Sequence, residues 1–168
     1  MINLEHESSA RTVKIITILL LLLLALIPAS LGAQSMSNQN VNSSGVALHG
    51  YDAVSFQSDG KAQLGSEQYK VDLLGARWYF ASAAHRDAFS RNPDTYAPAF
   101  GGYCAWSVSE GFVSDSDPKC WEVVSGKLYL FFSDSTKWLW NKDREAHIND
   151  AFVKWPSLAA TLNPGGFR

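Results

Sequence analysis

The chain has 168 residues, with 14 Lys and Arg against 16 Asp and Glu and a formal net charge of −2. That length suits one domain rather than two. Nucleic-acid binding needs a positive face that displaces counterions; no basic cluster stands out here, so that class is set aside.

The first 33 residues are not domain material. Arg11 and Lys14 precede an apolar run from Ile15 to Ile27, ended by Pro28. The run is about 13 residues, the length of a signal-peptide core and short of the roughly 20 apolar residues that span a bilayer. Small residues follow, and cleavage after Gly32 would place Ser30 at the −3 position. Residues 1–33 are therefore expected to be a signal peptide or an N-terminal anchor, and the protein to be exported, periplasmic or extracellular. Any membrane contact would be through this segment alone. Residues 34–45, rich in Ser, Asn and Gln, read as a flexible linker. The domain is expected over 46–162, with a disordered tail at 163–168.

Gly50 to Phe56 alternates enough to predict a short strand. Asp59-Gly60 is a hairpin signal, and Tyr69 to Leu73 reads as a second strand. Gly75 breaks it, and Arg77 to Ala81 is a third. Ser82 can cap a helix running to about Arg91, stopped by Pro93. Gly101-Gly102 interrupts structure, and Tyr103 to Val108 could be a strand or one short helix. Asp117-Pro118 reads as a turn. Trp121 to Val124 and Leu128 to Phe132 flank Ser125-Gly126-Lys127 as a further hairpin. Ser133 or Ser135 then caps a longer helix. Ile148, Ala151, Phe152 and Trp155 are spaced i, i+3, i+4, i+7 on one buried face, and Pro156 would kink or end the helix. No internal repeat shows at a period of 20–50 residues. The expectation is α+β: a small antiparallel sheet with helices packed on one face.

Candidate chemistry is sparse. There is no Gly-x-Ser-x-Gly elbow, and no His-Glu-x-x-His, Cys-x-x-Cys or phosphate-cradling loop, so no catalytic residue is assigned and an enzyme is not expected. Cys104 and Cys120 leave a disulfide of about 3 kcal/mol, a soft metal ligand or a small buried hydrophobe all open. His85 and His147 read as solvated helix histidines. Trp138 and Trp140 cannot share one helix face, so one of them is expected to be exposed.

The motifs add a resemblance. Val46-Ala-Leu-His-Gly-Tyr-Asp-Ala-Val-Ser-Phe56, Gly75-Ala-Arg-Trp-Tyr-Phe-Ala-Ser82, His85-Arg-Asp-Ala-Phe89, Asn92-Pro-Asp-Thr-Tyr96 and Phe100-Gly-Gly-Tyr-Cys-Ala-Trp106 resemble, in that order and spacing, the YHS-domain family in its exported branch. So do Asp117-Pro118, Trp121 and Gly126-Lys-Leu-Tyr-Leu130. The resemblance implies a treble-clef-like, metal-binding module. Metal-binding members carry three Cys at positions that match Ser55, Ala81 and His85, of which only His85 could ligate. Cys104 and His49 together would suit copper or zinc by ligand softness, with Tyr51, Asp52, His85 and Tyr103 as second shell or pocket. The expected function is an exported YHS-type binding module for a transition metal such as copper or zinc. The alternative is a metal-free domain holding a small ligand or a protein partner in an aromatic-lined pocket.

Overall fold

The computed structural model describes residues 38–162. The expected leader, the start of the linker and the tail lie outside the described residues.

The fold is α+β, with two antiparallel two-stranded hairpins and helices packed against them. After a tight turn at Leu48–Gly50 come α1 (Ser55–Ser58), β1 (Ser66–Leu73), β2 (Ala76–Phe80), α2 (Ala83–Arg91) and α3 (Pro93–Tyr96). A second tight turn, Ala99–Gly102, leads into α4 (Ala105–Glu110), β3 (Asp117–Val124), β4 (Lys127–Phe131), α5 (Asp134–Lys142) and α6 (Arg144–Leu162). The sheet is thus two separate hairpins rather than one. The segment expected as a first strand is a turn followed by α1. The Asp52 carboxylate ties this turn down, accepting from the Val54 and Ser55 amides at 2.8 and 3.3 Å. An Asx side chain that bonds its own backbone two and three residues on closes a turn instead of a ladder. Asp117-Pro118 opens β3 instead of forming a turn, and Pro93 starts α3 after Asn92 has ended α2.

The expected linker is fastened from Asn40 onward. The Asn40 amide donates to the Gly101 carbonyl at 2.7 Å, and Val41 bridges Ala47. Pro156 sits inside α6 without ending it. Phe152, one turn earlier, is the residue whose carbonyl loses its helical donor to the proline.

The two halves of the domain repeat each other. Ala47-Leu-His-Gly-Tyr-Asp-Ala-Val-Ser55 and Ala99-Phe-Gly-Gly-Tyr-Cys-Ala-Trp-Ser107 share Ala, Gly, Tyr, Ala and Ser at matching places. Three successive residues are left-handed in both: φ is 51, 51 and 86° at Leu48, His49 and Gly50, and 54, 61 and 83° at Phe100, Gly101 and Gly102. Next, the Asp52 amide donates to Gln63 O and the Cys104 amide to Ser114 O. Each half then has a hairpin of an eight- and a five-residue strand. Both hairpins have a register irregularity, at Ser66/Lys70 and Asp117/Trp121, and turn through left-handed Leu74-Gly75 and Ser125-Gly126. Ser82 and Ser133 cap nine-residue helices. The aromatic cores match too. Phe89 packs on Trp78 and Phe80 at 4.7 and 5.2 Å between ring centres, and Trp140 packs on Tyr129 and Phe131 at 5.3 and 5.6 Å. The halves are offset by 52 residues at the first motif and 51 at the hairpin, just beyond the periods at which the sequence shows no repeat. They diverge at the end, where α3 has four residues and α6 has 19. Helix α6 covers the second core with Ala151, while Ile148, Trp155 and Leu158 pack at its edge.

Candidate functional site

The most polar buried point of the domain is Asp52, whose side chain is fully buried. The turn after Tyr51 turns it inward, against the end of β2 and the start of α2. Its Oδ1 accepts from the Val54 and Ser55 amides. Its Oδ2 accepts from the Ala81 amide at 2.8 Å and meets His85 Nδ1 at 2.7 Å. Both oxygens face N–H donors, so the group serves as a carboxylate, which only accepts. His85 Nδ1 is therefore the donor of this bond, and the ring is held with Nε2 toward Asp59. A buried charge is tolerated when hydrogen bonds replace its lost water, and here four donors do so.

His85 lies in the first turn of α2, held there because Ser82 Oγ accepts its backbone amide at 3.2 Å. Its side chain is 19% exposed, and Nε2 stands 3.8 Å from Asp59 Oδ1, a carboxylate that is 32% exposed. Ser55 stays within the same knot: its hydroxyl donates to the carbonyls of Asp52 and Lys61 at 2.8 and 2.9 Å. The three positions matched to thiolates in the sequence resemblance, Ser55, Ala81 and His85, all hydrogen-bond to Asp52. No thiol is among them.

The other expected residues sit elsewhere. Cys104 is wholly buried within the aromatic core of the second half, alongside Phe131 and Trp140. His49 Nε2 pairs instead with Asp115 Oδ1 at 2.9 Å, on the surface. Asp115 also accepts from Asn40 Nδ2 at 2.6 Å and from the Ser116 amide at 2.8 Å. Partial burial would raise the Asp115 carboxyl; the hydrogen bonds from Asn40, His49 and Ser116 outweigh it and hold the group below the ordinary value. Tyr103 packs on Trp155, and its hydroxyl is pushed up by burial and by the nearby Asp115 charge. Tyr51 bridges Leu64 at the entry to the Asp52 turn. Neither cysteine is bridged. Cys120 Sγ stands 3.6 Å from Asp134 Oδ1, and burial together with that carboxylate pushes its thiol up. Trp140 is buried and Trp138 is 61% exposed, with the Lys142 ammonium 3.7 Å over its ring. His147 is not simply solvated: Nδ1 bonds the Trp140 carbonyl and the ring stacks on the Trp140 indole.

Among the described residues, no group of three or more His, Cys, Asp or Glu could hold a metal ion. A closed four-ligand centre therefore does not fit. His85 has a buried carboxylate behind Nδ1 and a second carboxylate, Asp59, beside Nε2, the arrangement of a histidine oriented by its second shell. Sequence reading named Asp52 and His85 but not Asp59, which it took as a turn residue. Nothing in its spacing tells a ligand from a turn former. Among the described residues, no helix is long and apolar enough to cross a membrane. No family model, curated protein or solved structure matches this chain.

Proposed function

We propose that this protein is an exported, non-catalytic binding module of the YHS type that takes one copper or zinc ion at His85. The reading rests on one observation: buried Asp52 holds His85 by Nδ1, so that Nε2 faces outward beside the Asp59 carboxylate. His85 Nε2 and an Asp59 oxygen would hold the ion, with water completing its shell. An imidazole with a carboxylate suits zinc and copper better than calcium or magnesium. Such a site is open and exchangeable, which suits carrying or sensing an ion rather than building a core around it.

Cys104 and His49 were the sequence's first candidates for the ligands. The proposal moves to His85 because Cys104 packs among rings and the His49 Nε2 is engaged by Asp115.

Calorimetric titration of the purified protein with zinc or copper tests this. The expected result is one equivalent bound by the wild type and by Cys104→Ser, and none by His85→Ala. Replacing Asp52 with Asn should weaken binding about 10- to 100-fold, the usual effect of losing a carboxylate behind a ligating histidine. Binding that survives His85→Ala and disappears in Cys104→Ser would return the site to Cys104. The metal-free alternative is favoured by exposed Trp138, and absence of binding to any of these proteins would leave it standing.

A further inference from the structure

The repeated halves supply an internal comparison that bears on the same site, and this inference rests on the metal-binding reading above. Where two backbones match turn for turn, chemistry present in one and missing from the other marks what the backbone path itself does not require. The left-handed turn, the hairpin, the serine cap and the three packed rings occur twice. The Asp52–His85 pair occurs once. By the offsets of the repeat, Asp52 corresponds to Cys104 and His85 to Thr136. Cys104 is buried among rings, and the Thr136 hydroxyl turns back to bond the Ser133 carbonyl at 2.8 Å. Asp59 falls where the halves differ in length: Gly60 follows Ser55 by five positions, whereas Gly111 follows Ser107 by four. The Lys61 and Phe112 amides nevertheless close onto Ser55 O and Ser107 O in the same way.

We infer that the domain is a fused duplicate in which only the first half keeps a working ion site, and that Asp52, Asp59 and His85 are the residues that make it so. The second half is the scaffold partner, its counterpart position filled by the Cys104 side chain and sealed by α6. A second consequence concerns what the second half retains. The amides of Val54, Ser55 and Ala81 that serve Asp52 have their counterparts in Trp106, Ser107 and Phe132.

Reciprocal replacement tests this. Asp52→Cys with His85→Thr puts second-half residues on a backbone that already carries them elsewhere in the same molecule. The variant should keep a cooperative melt and lose its one equivalent of zinc, read by elemental analysis after gel filtration. If the double variant does not fold, His85→Thr alone, at a partly exposed position, gives the same reading. Two equivalents of zinc in the wild type, one of them surviving in folded His85→Thr, would overturn the restriction to the first half while leaving an ion at His85; a folded His85→Thr that keeps all its zinc would overturn both. A wild type that takes up no zinc or copper would overturn the reading on which the assignment rests.

Discussion

Removing the Asp52 carboxylate strands buried and half-buried donors. Asp52→Ala leaves the Val54 and Ala81 amides and the His85 ring without their acceptor. Leaving a buried donor without its acceptor typically costs about 1–3 kcal/mol, and a drop of at least that size in chemical denaturation is expected. The same residue explains a misreading of the sequence. Alternation from Gly50 to Phe56 looks like a strand, but the carboxylate captures the amides ahead of it, and nothing in the pattern of apolar residues reports that. Asp115 acts in the opposite region of pH from a raised group. Its carboxyl is held below the unfolded value, so it adds stability at neutral pH that is lost as the pH falls from the unfolded value through the lower folded one. Wild-type stability should therefore fall more steeply than that of Asp115→Asn between pH 5 and 3. Cys120 provides a third test. Its thiol is pushed up by burial and by Asp134, and thiolate is the reactive form. Alkylation at pH 8 should be slow, and faster in Asp134→Asn. Equal rates would show that the carboxylate does not govern the thiol.

The strands of both hairpins and both serine caps were legible, because their signals are local; the hairpin expected at Asp59-Gly60 is absent, and the one long helix expected after Ser133 is broken at Asp143 into α5 and α6. Turn glycines stand at 75 and 126, and serines precede each helix by one residue. At Ser133 the cap is reciprocal, with the Thr136 amide bonding Ser133 Oγ and the Ser133 amide bonding Thr136 Oγ1. Ser133→Ala should therefore cost about 1 kcal/mol, as a lost cap does. The element fixing the second core is α5, through Trp140, which is buried between Tyr129 and Phe131 and donates its indole N–H to Glu122 Oε1 at 2.7 Å. Truncating a buried Trp to Ala costs about 3–5 kcal/mol, and Trp140→Ala is expected at the top of that range because Glu122 also loses a donor. The short elements, α1 and the left-handed turns, were not legible. Their shape depends on side chains that reach back to the backbone, and a left-handed His49 has no signature in sequence. Its counterpart Gly101 shows what that backbone prefers and also why glycine is required there. A Cβ on Gly101 would stand 2.0 Å from the Asn38 carbonyl oxygen.

At the scale of the whole domain, sequence reading reached the class, α+β, and missed the duplication. The halves share close identity only over the stretch from Ala47 to Ser55, and beyond it aromatic stands for aromatic and cap for cap, which backbone angles reveal and composition does not. That symmetry gives the functional proposal its shape: two equivalent scaffolds, one of them bearing an oriented histidine. The chain has four histidines, so their ring resonances can be assigned and followed separately. The most direct test is to add copper(II) well below one equivalent and watch which imidazole broadens first by NMR. The account predicts selective loss of the His85 signal, with those of His49 and His147 retained. First loss of the His49 signal, or no selective broadening at all, would contradict it.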